Sequence, residues 1–232
     1  MPAKNTLKKY ISEGYYHIYN RGVEKRNIFL DDQDRLVFLN YLKEYLLPKE
    51  EIIESLNHQD MTDLQKAQRI IEFNKINNFY GRINMACFVL MDNHFHMELK
   101  QKEDRDIEMF MRSLNTKYGR YFNKRYKRVG PLFQSRYKGI LIKNEKYFLH
   151  LSRYIHQNSK ELIGKNQPLS SYKWSSYRDY LGQNNFPWLK KNLLLDYFKK
   201  AKGFGFSSYQ GFVEGYEDTS EDVRSYKDLI LE

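Results

Sequence analysis

Cysteine occurs once in the 232 residues, at Cys87. That excludes an internal disulfide and any zinc cluster built on cysteines. Five prolines and 12 glycines are too few for long disordered tracts. The longest apolar run in the middle of the chain covers residues 85–91, far short of the roughly 18 residues a membrane-spanning helix needs. The opening stretch MPAKNTLKKYISEG has no apolar centre of the kind a secretory signal carries. Acidic residues are in deficit, 29 against 39 Lys and Arg, giving a formal net charge of +10 and a pI near 9.4. These absences lead to the expectation of a soluble, globular, cytoplasmic protein with no membrane contact, long enough to bury a core without covalent staples.

What is present in excess is basic and aromatic. Aromatic residues make up 16% of the chain, with 20 tyrosines among them. A strongly basic surface selects polyanions. Rings interleaved with cations suit unpaired bases, on which they stack, better than a lipid surface.

The order of elements follows from periodicity. GYYHIYNRG gives a strand over Tyr15–Asn20. Asp31 and Asp32 offer an N-cap for a helix over Asp34–Leu47, which Pro48 ends. Residues 49–62 are polar and read as a loop, and Asp63–Asn77 has helical spacing. INMACFVLMDNHFHMELKQ reads as a hairpin, strands 83–91 and 94–100, turning at Asp92-Asn93. A long helix over Asp106–Tyr126, a strand over Tyr137–Ile142 and a helix over Glu145–Asn158 follow, with weaker helices near 174–181 and 190–200. This order predicts an α+β fold: a ferredoxin-like, RRM-like βαββαβ antiparallel sheet with helices on one face. To it are added one further helix and a C-terminal extension over 166–232. Such a scaffold serves many functions, so the site must carry the functional argument.

Three groups of residues carry chemistry. His94-Phe95-His96 lies in a strand, where residues i and i+2 share a face, so both imidazoles project together and can hold one metal. Two ordinary surface histidines would give the same pattern. Glu98 falls on the same face, either as a third ligand or as a solvated acid. In the last helix, His150, Tyr154 and Asn158 are spaced i, i+4, i+8 and share a face. A phenol there can stand beside a metal ligand, or can be a core aromatic, and Gln157 is a substitute ligand if the helix is rotated. Residues 117–143 contain nine Lys or Arg and no Asp or Glu. The DNA-binding candidates among them are Lys117, Arg120, Lys124, Arg125, Arg128, Arg136 and Lys138. Cys87 reads as a small buried apolar residue, and His17 as a core or supporting residue.

Taken in order, YHIYNRG, FVLMDNHFHMEL, MRSLNTKYGRYFNKRYKRVGPLFQSRYKGILI, LSRYIHQN and KWSSYRDYLG resemble the insertion-sequence-200-like tyrosine transposases, and among them the REP-associated branch of the HUH endonuclease superfamily. The resemblance spans about Tyr15 to Gly182. It implies a catalytic domain over 1–165, with 49–80 as an insertion. It also implies a single-stranded DNA endonuclease and strand transferase acting on hairpin-containing DNA, as a monomer or homodimer. By the same resemblance His94 and His96 are metal ligands with Asn158 as the third, the cation is Mg2+ or Mn2+, and Tyr154 is the nucleophile forming a 5′-phosphotyrosine. Two departures stand out: Met-Asp-Asn-His replaces the family's Met-Pro-Asn-His, and Glu98 replaces an apolar residue. The same scaffold also fits a non-catalytic nucleic-acid-binding module or a replication-initiator nickase.

Overall fold

Residues 10–215 are described by a computed structural model. The sheet strands are β1 (Tyr15–Arg21), β2 (Ile83–Leu90), β3 (His94–Gln101) and β4 (Lys138–Leu141), in spatial order β2-β3-β1-β4. All three neighbouring pairs are antiparallel. This is the order a split βαβ repeat requires, and it agrees with the fold expected from the sequence.

Helices α1 (Asp32–Leu46) and α4 (Asp106–Arg125) pack together beneath the sheet. Asp31 caps α1 by accepting from the Asp34 amide at 3.0 Å. Phe38 of α1 meets Phe95 of β3 at 5.3 Å between ring centroids, and Tyr118 of α4 meets Phe38 at 5.0 Å. Phe95, Met97 and Leu99 are fully buried on this side. The alternating residues of β3, His94, His96 and Glu98, therefore face the other way. That second face is covered by α5 (Glu145–Gln157), whose Phe148 packs on Tyr15 of β1 at 4.7 Å. The sheet is thus sandwiched, with α1 and α4 on one face and α5 on the other.

One segment differs from its sequence reading. Residues 49–62 contain helix α2 (Lys49–Asn57), followed by α3 (Asp63–Asn74). Pro48 both ends α1 and caps α2, and Ile52 and Leu56, one turn apart, are buried. These two anchors and the half-buried Ile53 set a helix whose other positions are polar.

Beyond α5 the chain follows the outer edge of β2. The Leu90 amide donates to Trp174 O, Ser176 N donates to Phe88 O, and Lys190 N donates to Met85 O, all within 3.0 Å. The hydroxyls of Tyr172 and Tyr180 donate to Leu90 O and Ala86 O. An edge strand that would otherwise expose its ladder is closed in this way. Three further helices, α6 (Tyr177–Tyr180), α7 (Asn192–Lys200) and α8 (Tyr209–Gly215), pack into the same core. The remainder of the expected extension, 216–232, lies outside the described residues.

Candidate active site

The site grows from the β2–β3 turn. The Met91 amide donates to His94 O at 2.8 Å. Asp92 O accepts from the Ile28 and Phe29 amides at 2.8 and 3.0 Å, and its carboxylate pairs with Arg35. Arg35 in turn stacks over Phe29 and Trp174, 5.8 Å from each ring centroid. Asp92 is therefore held in the turn by its carbonyl and its charge. Gly22, at the end of β1, donates its amide to Asn93 O at 2.9 Å. A Cβ there would lie 2.2 Å from Arg26 O, so only glycine allows this approach.

The turn delivers both histidines to the face beneath α5. Their ring centroids lie 5.0 Å apart, with the planes at 87°. His94 Nδ1 lies 2.5 Å from Asn93 Oδ1. An amide oxygen only accepts, so Nδ1 carries the proton and the lone pair falls on Nε2. His96 is buried, and its Nδ1 lies 2.9 Å from Nε2 of His17 on β1. The ring of Tyr154 on α5 stands edge-on to His96 at 5.7 Å and 86°. Asn158, the C-cap residue of α5, follows one turn later and donates its Nδ2 to Tyr154 O at 3.2 Å.

Two residues on the same face, Tyr19 and Arg21, were not singled out from the sequence, and a third, His17, was read there as a core or supporting residue. Antiparallel register puts Arg21 opposite His94, Tyr19 opposite His96 and His17 opposite Glu98. Paired residues share a face. The signal was available: YHIYNRG alternates with the parity that matches the histidine pair once β1 and β3 are neighbours. Tyr19 stacks on His96 with centroids 5.5 Å apart.

Some candidates fall elsewhere. Glu98 is fully buried one step further along β3 and accepts from the Cys87 thiol at 3.3 Å. Burial holds its carboxyl well above the usual carboxylate range. Cys87 is buried as expected, yet its partner is this acid rather than an apolar neighbour. His150 turns to the extension, 5.6 Å from Phe212. Among the described residues no three His, Cys, Asp or Glu side chains form a metal-sized cluster. A cation on the two imidazoles would therefore complete its shell with amide, phosphate or water oxygen, and two imidazoles with oxygen ligands suit a divalent ion.

The basic residues divide between the two faces. Lys138 of β4 is the register partner of Tyr19 and so lies on the His94–His96 face. Lys117, Arg120, Lys124 and Arg125 are on α4, beneath the sheet. The acids missing from 117–143 come from α1. Lys117 pairs with Glu44, and Arg125 grips Asp31 and Asp34 at 2.6 Å each. Arg128 bonds Asn123 at 2.8 Å and lies over Phe122. Arg120, Lys124, Arg136 and Lys138 are exposed. Arg120 and Lys124, with Arg112 and Lys75, line a groove of about 870 Å³ beside α4.

Known proteins resemble parts of this chain. Residues 62–158 match the family described as transposase IS200 like, a stretch that contains His94, His96 and Tyr154 and ends at Asn158. No curated protein matches the chain. Among solved structures, a REP-associated tyrosine transposase bound to a REP hairpin is similar, with 16% identity and a TM-score of 0.50 over 80% of this chain and 89% of that one. No helix among the described residues is long and apolar enough to cross a membrane. Residues 62–158 thus match the IS200-like transposases, the family to which the sequence motifs pointed, and 80% of the chain shares its fold with a REP-associated tyrosine transposase.

Proposed function

We propose that this protein is a metal-dependent single-stranded DNA endonuclease and strand transferase that works through a 5′-phosphotyrosine. The family match supports a DNA-processing role of the transposase type. The observation that carries the finer reading is the Tyr154 ring standing edge-on at 5.7 Å from His96, on the face that also bears His94.

A free phenol has a pKa near 10 and meets an anionic phosphodiester, so it needs charge neutralisation and alignment. When bound by His94, His96 and Asn158, a divalent cation, Mg2+ or Mn2+, neutralises and orients the phosphate. The Tyr154 hydroxyl gives up its proton and attacks phosphorus. The bond from phosphorus to the 3′ oxygen breaks, and that oxygen leaves as a 3′-hydroxyl after taking up a proton. The ester linkage is conserved in the 5′-phosphotyrosine, so a second 3′-hydroxyl can reverse the step and join strands. Helix α5, fixed between the sheet and the extension, holds the nucleophile in place.

Arg21 and Lys138 flank the site on its own face and are proposed to bind the phosphates either side of the scissile one. The exposed cations of the α4 groove lie beneath the sheet and are proposed to bind the stem of a hairpin, the kind of DNA carried by the similar solved structure. The test is cleavage of an end-labelled single strand carrying a hairpin, in Mn2+. His96→Ala is expected to abolish cleavage and leave binding nearly unchanged, because affinity comes mainly from phosphate contacts by Lys and Arg. Unimpaired cleavage by His96→Ala would overturn the reading.

A further inference from the structure

We propose that His17 is a positioning residue that selects the tautomer and ring orientation of His96, so that His96 presents Nε2 to the divalent cation. The proposal rests on the metal-site reading above and adds a residue to it. His17 lies outside the segment matched to the transposase family, on β1 rather than on the histidine-bearing strand.

The geometry is specific. His17 is fully buried. Its register partner is Glu98, so it reaches His96 diagonally across the two strands. His17 Nε2 and His96 Nδ1 are 2.9 Å apart, and the two ring planes are tilted by only 19°. A hydrogen bond between nearly parallel imidazoles runs along the nitrogen lone pair of one and the N–H of the other. Either ring can be the donor on distance alone. Ligation by His96 Nε2 removes that choice. A neutral imidazole that offers the Nε2 lone pair carries its proton on Nδ1, so His96 donates and His17 Nε2 accepts. His17 then holds its own proton on Nδ1. This makes the pair match His94, whose Nδ1 proton is held by Asn93. Both candidate ligands are thus oriented through Nδ1, one by an amide and one by an imidazole. An acceptor behind a ligating histidine fixes its orientation and raises its basicity, and losing one costs about 10–100-fold in metal affinity.

The experiment measures Mn2+ binding by the full chain without DNA, by calorimetry and electron paramagnetic resonance, in four variants beside wild type. His96→Ala tests the metal site itself. His17→Phe keeps a buried ring but no acceptor. In His17→Gln the amide oxygen reaches about as far as Nε2, whereas in His17→Asn it stops near the Nδ1 position. Wild type is expected to bind Mn2+ and His96→Ala to lose it. His17→Phe and His17→Asn are expected to weaken binding about 10–100-fold, while His17→Gln stays within a few-fold of wild type. If wild type does not bind, or His96→Ala binds equally well, the metal-site reading falls and this proposal with it. If His96→Ala loses the ion but His17→Phe and His17→Asn bind as wild type does, only the role of His17 falls. Equal losses in His17→Gln and His17→Asn would also overturn it, because they would mean that His17 acts by filling space. Should His17→Phe fail to fold, the Gln–Asn comparison decides alone.

Discussion

Two buried or paired groups, one on each face of the sheet, have consequences that can be measured at single residues. Burial opposes the charge of Glu98 and raises its carboxyl well above the usual range in the folded chain. In the unfolded chain it titrates near 4.5. A carboxyl whose folded pKa is raised contributes stability below the unfolded value and loses it as pH rises, by up to about 1.4 kcal/mol per unit. Glu98→Gln keeps the acceptor for Cys87 and removes the titration. It is therefore expected to be more stable than wild type at pH 8 in urea unfolding, with the difference shrinking toward pH 4.5. A variant less stable than wild type at pH 8 would contradict the assignment. Arg125 poses the opposite case, a charge that looked available for DNA and is spent inside the fold. Its two carboxylate partners include Asp34, which is fully buried and also accepts from the hydroxyls of Tyr121 and Tyr126. Arg125→Ala is expected to lower the melting temperature and leave the salt dependence of DNA binding almost unchanged. Lys138→Ala is expected to do the reverse, reducing the log–log salt slope by about 0.7. A slope lowered by Arg125→Ala as much as by Lys138→Ala would put both in contact with DNA.

At the scale of elements, α5 is the piece on which the site depends, and it is held from both sides. Its inner face meets the sheet through Phe148 and Tyr154. On the extension side, His156 Nε2 bonds Ser176 Oγ at 2.9 Å, and Tyr209 OH bonds both His156 Nδ1, at 3.0 Å, and Ser152 Oγ, at 2.8 Å. Burial pushes the pKa of His156 down to about 3 from 6.5. The unfolded chain takes up that proton below pH 6.5 and the folded chain does not, so stability falls as pH drops from 6.5 toward 3. His156→Gln is expected to show a shallower loss over that window than wild type in urea unfolding, and parallel curves would contradict it. This docking is also where sequence reading reached its limit. The strands and α4 were legible from their apolar pattern, and α1 and α5 also from a cap, such as Asn144, whose side chain accepts from Tyr147 N at 2.7 Å. Helix α2 was hidden because only Ile52 and Leu56 are buried in it. The edge-covering role of residues 172–190 was hidden because it is made by backbone groups and a few scattered hydroxyls, which leave no periodic side-chain pattern.

At the scale of the molecule, the sheet separates two surfaces. One bears His94, His96, Tyr19, Arg21 and Lys138 beneath α5, and the other carries the cations of the α4 groove. Which residues share a face with the histidine pair and with Tyr154 was legible locally, because a strand of period two and a helix of period 3.6 fix it, whereas their roles came from the resemblance to the tyrosine transposases. The division of the basic segment could not, since the compensating acids sit on α1, far away in sequence. Nor could the candidacy of Tyr19, which depends on which strand neighbours β3. Tyr19 and Tyr154 now stand at similar distances from His96, 5.5 and 5.7 Å, one stacked and one edge-on. The most direct test of the proposed chemistry is therefore to trap the protein on a labelled single-stranded hairpin in Mn2+, digest it with trypsin, and locate the nucleotide adduct by mass spectrometry. The adduct is expected on Tyr154, in the peptide containing residues 154–160, and to be absent from Tyr154→Phe, which should still bind the DNA. An adduct on Tyr19, in the peptide covering residues 10–21, or cleavage by Tyr154→Phe at the wild-type rate, would contradict the assignment of Tyr154 as nucleophile.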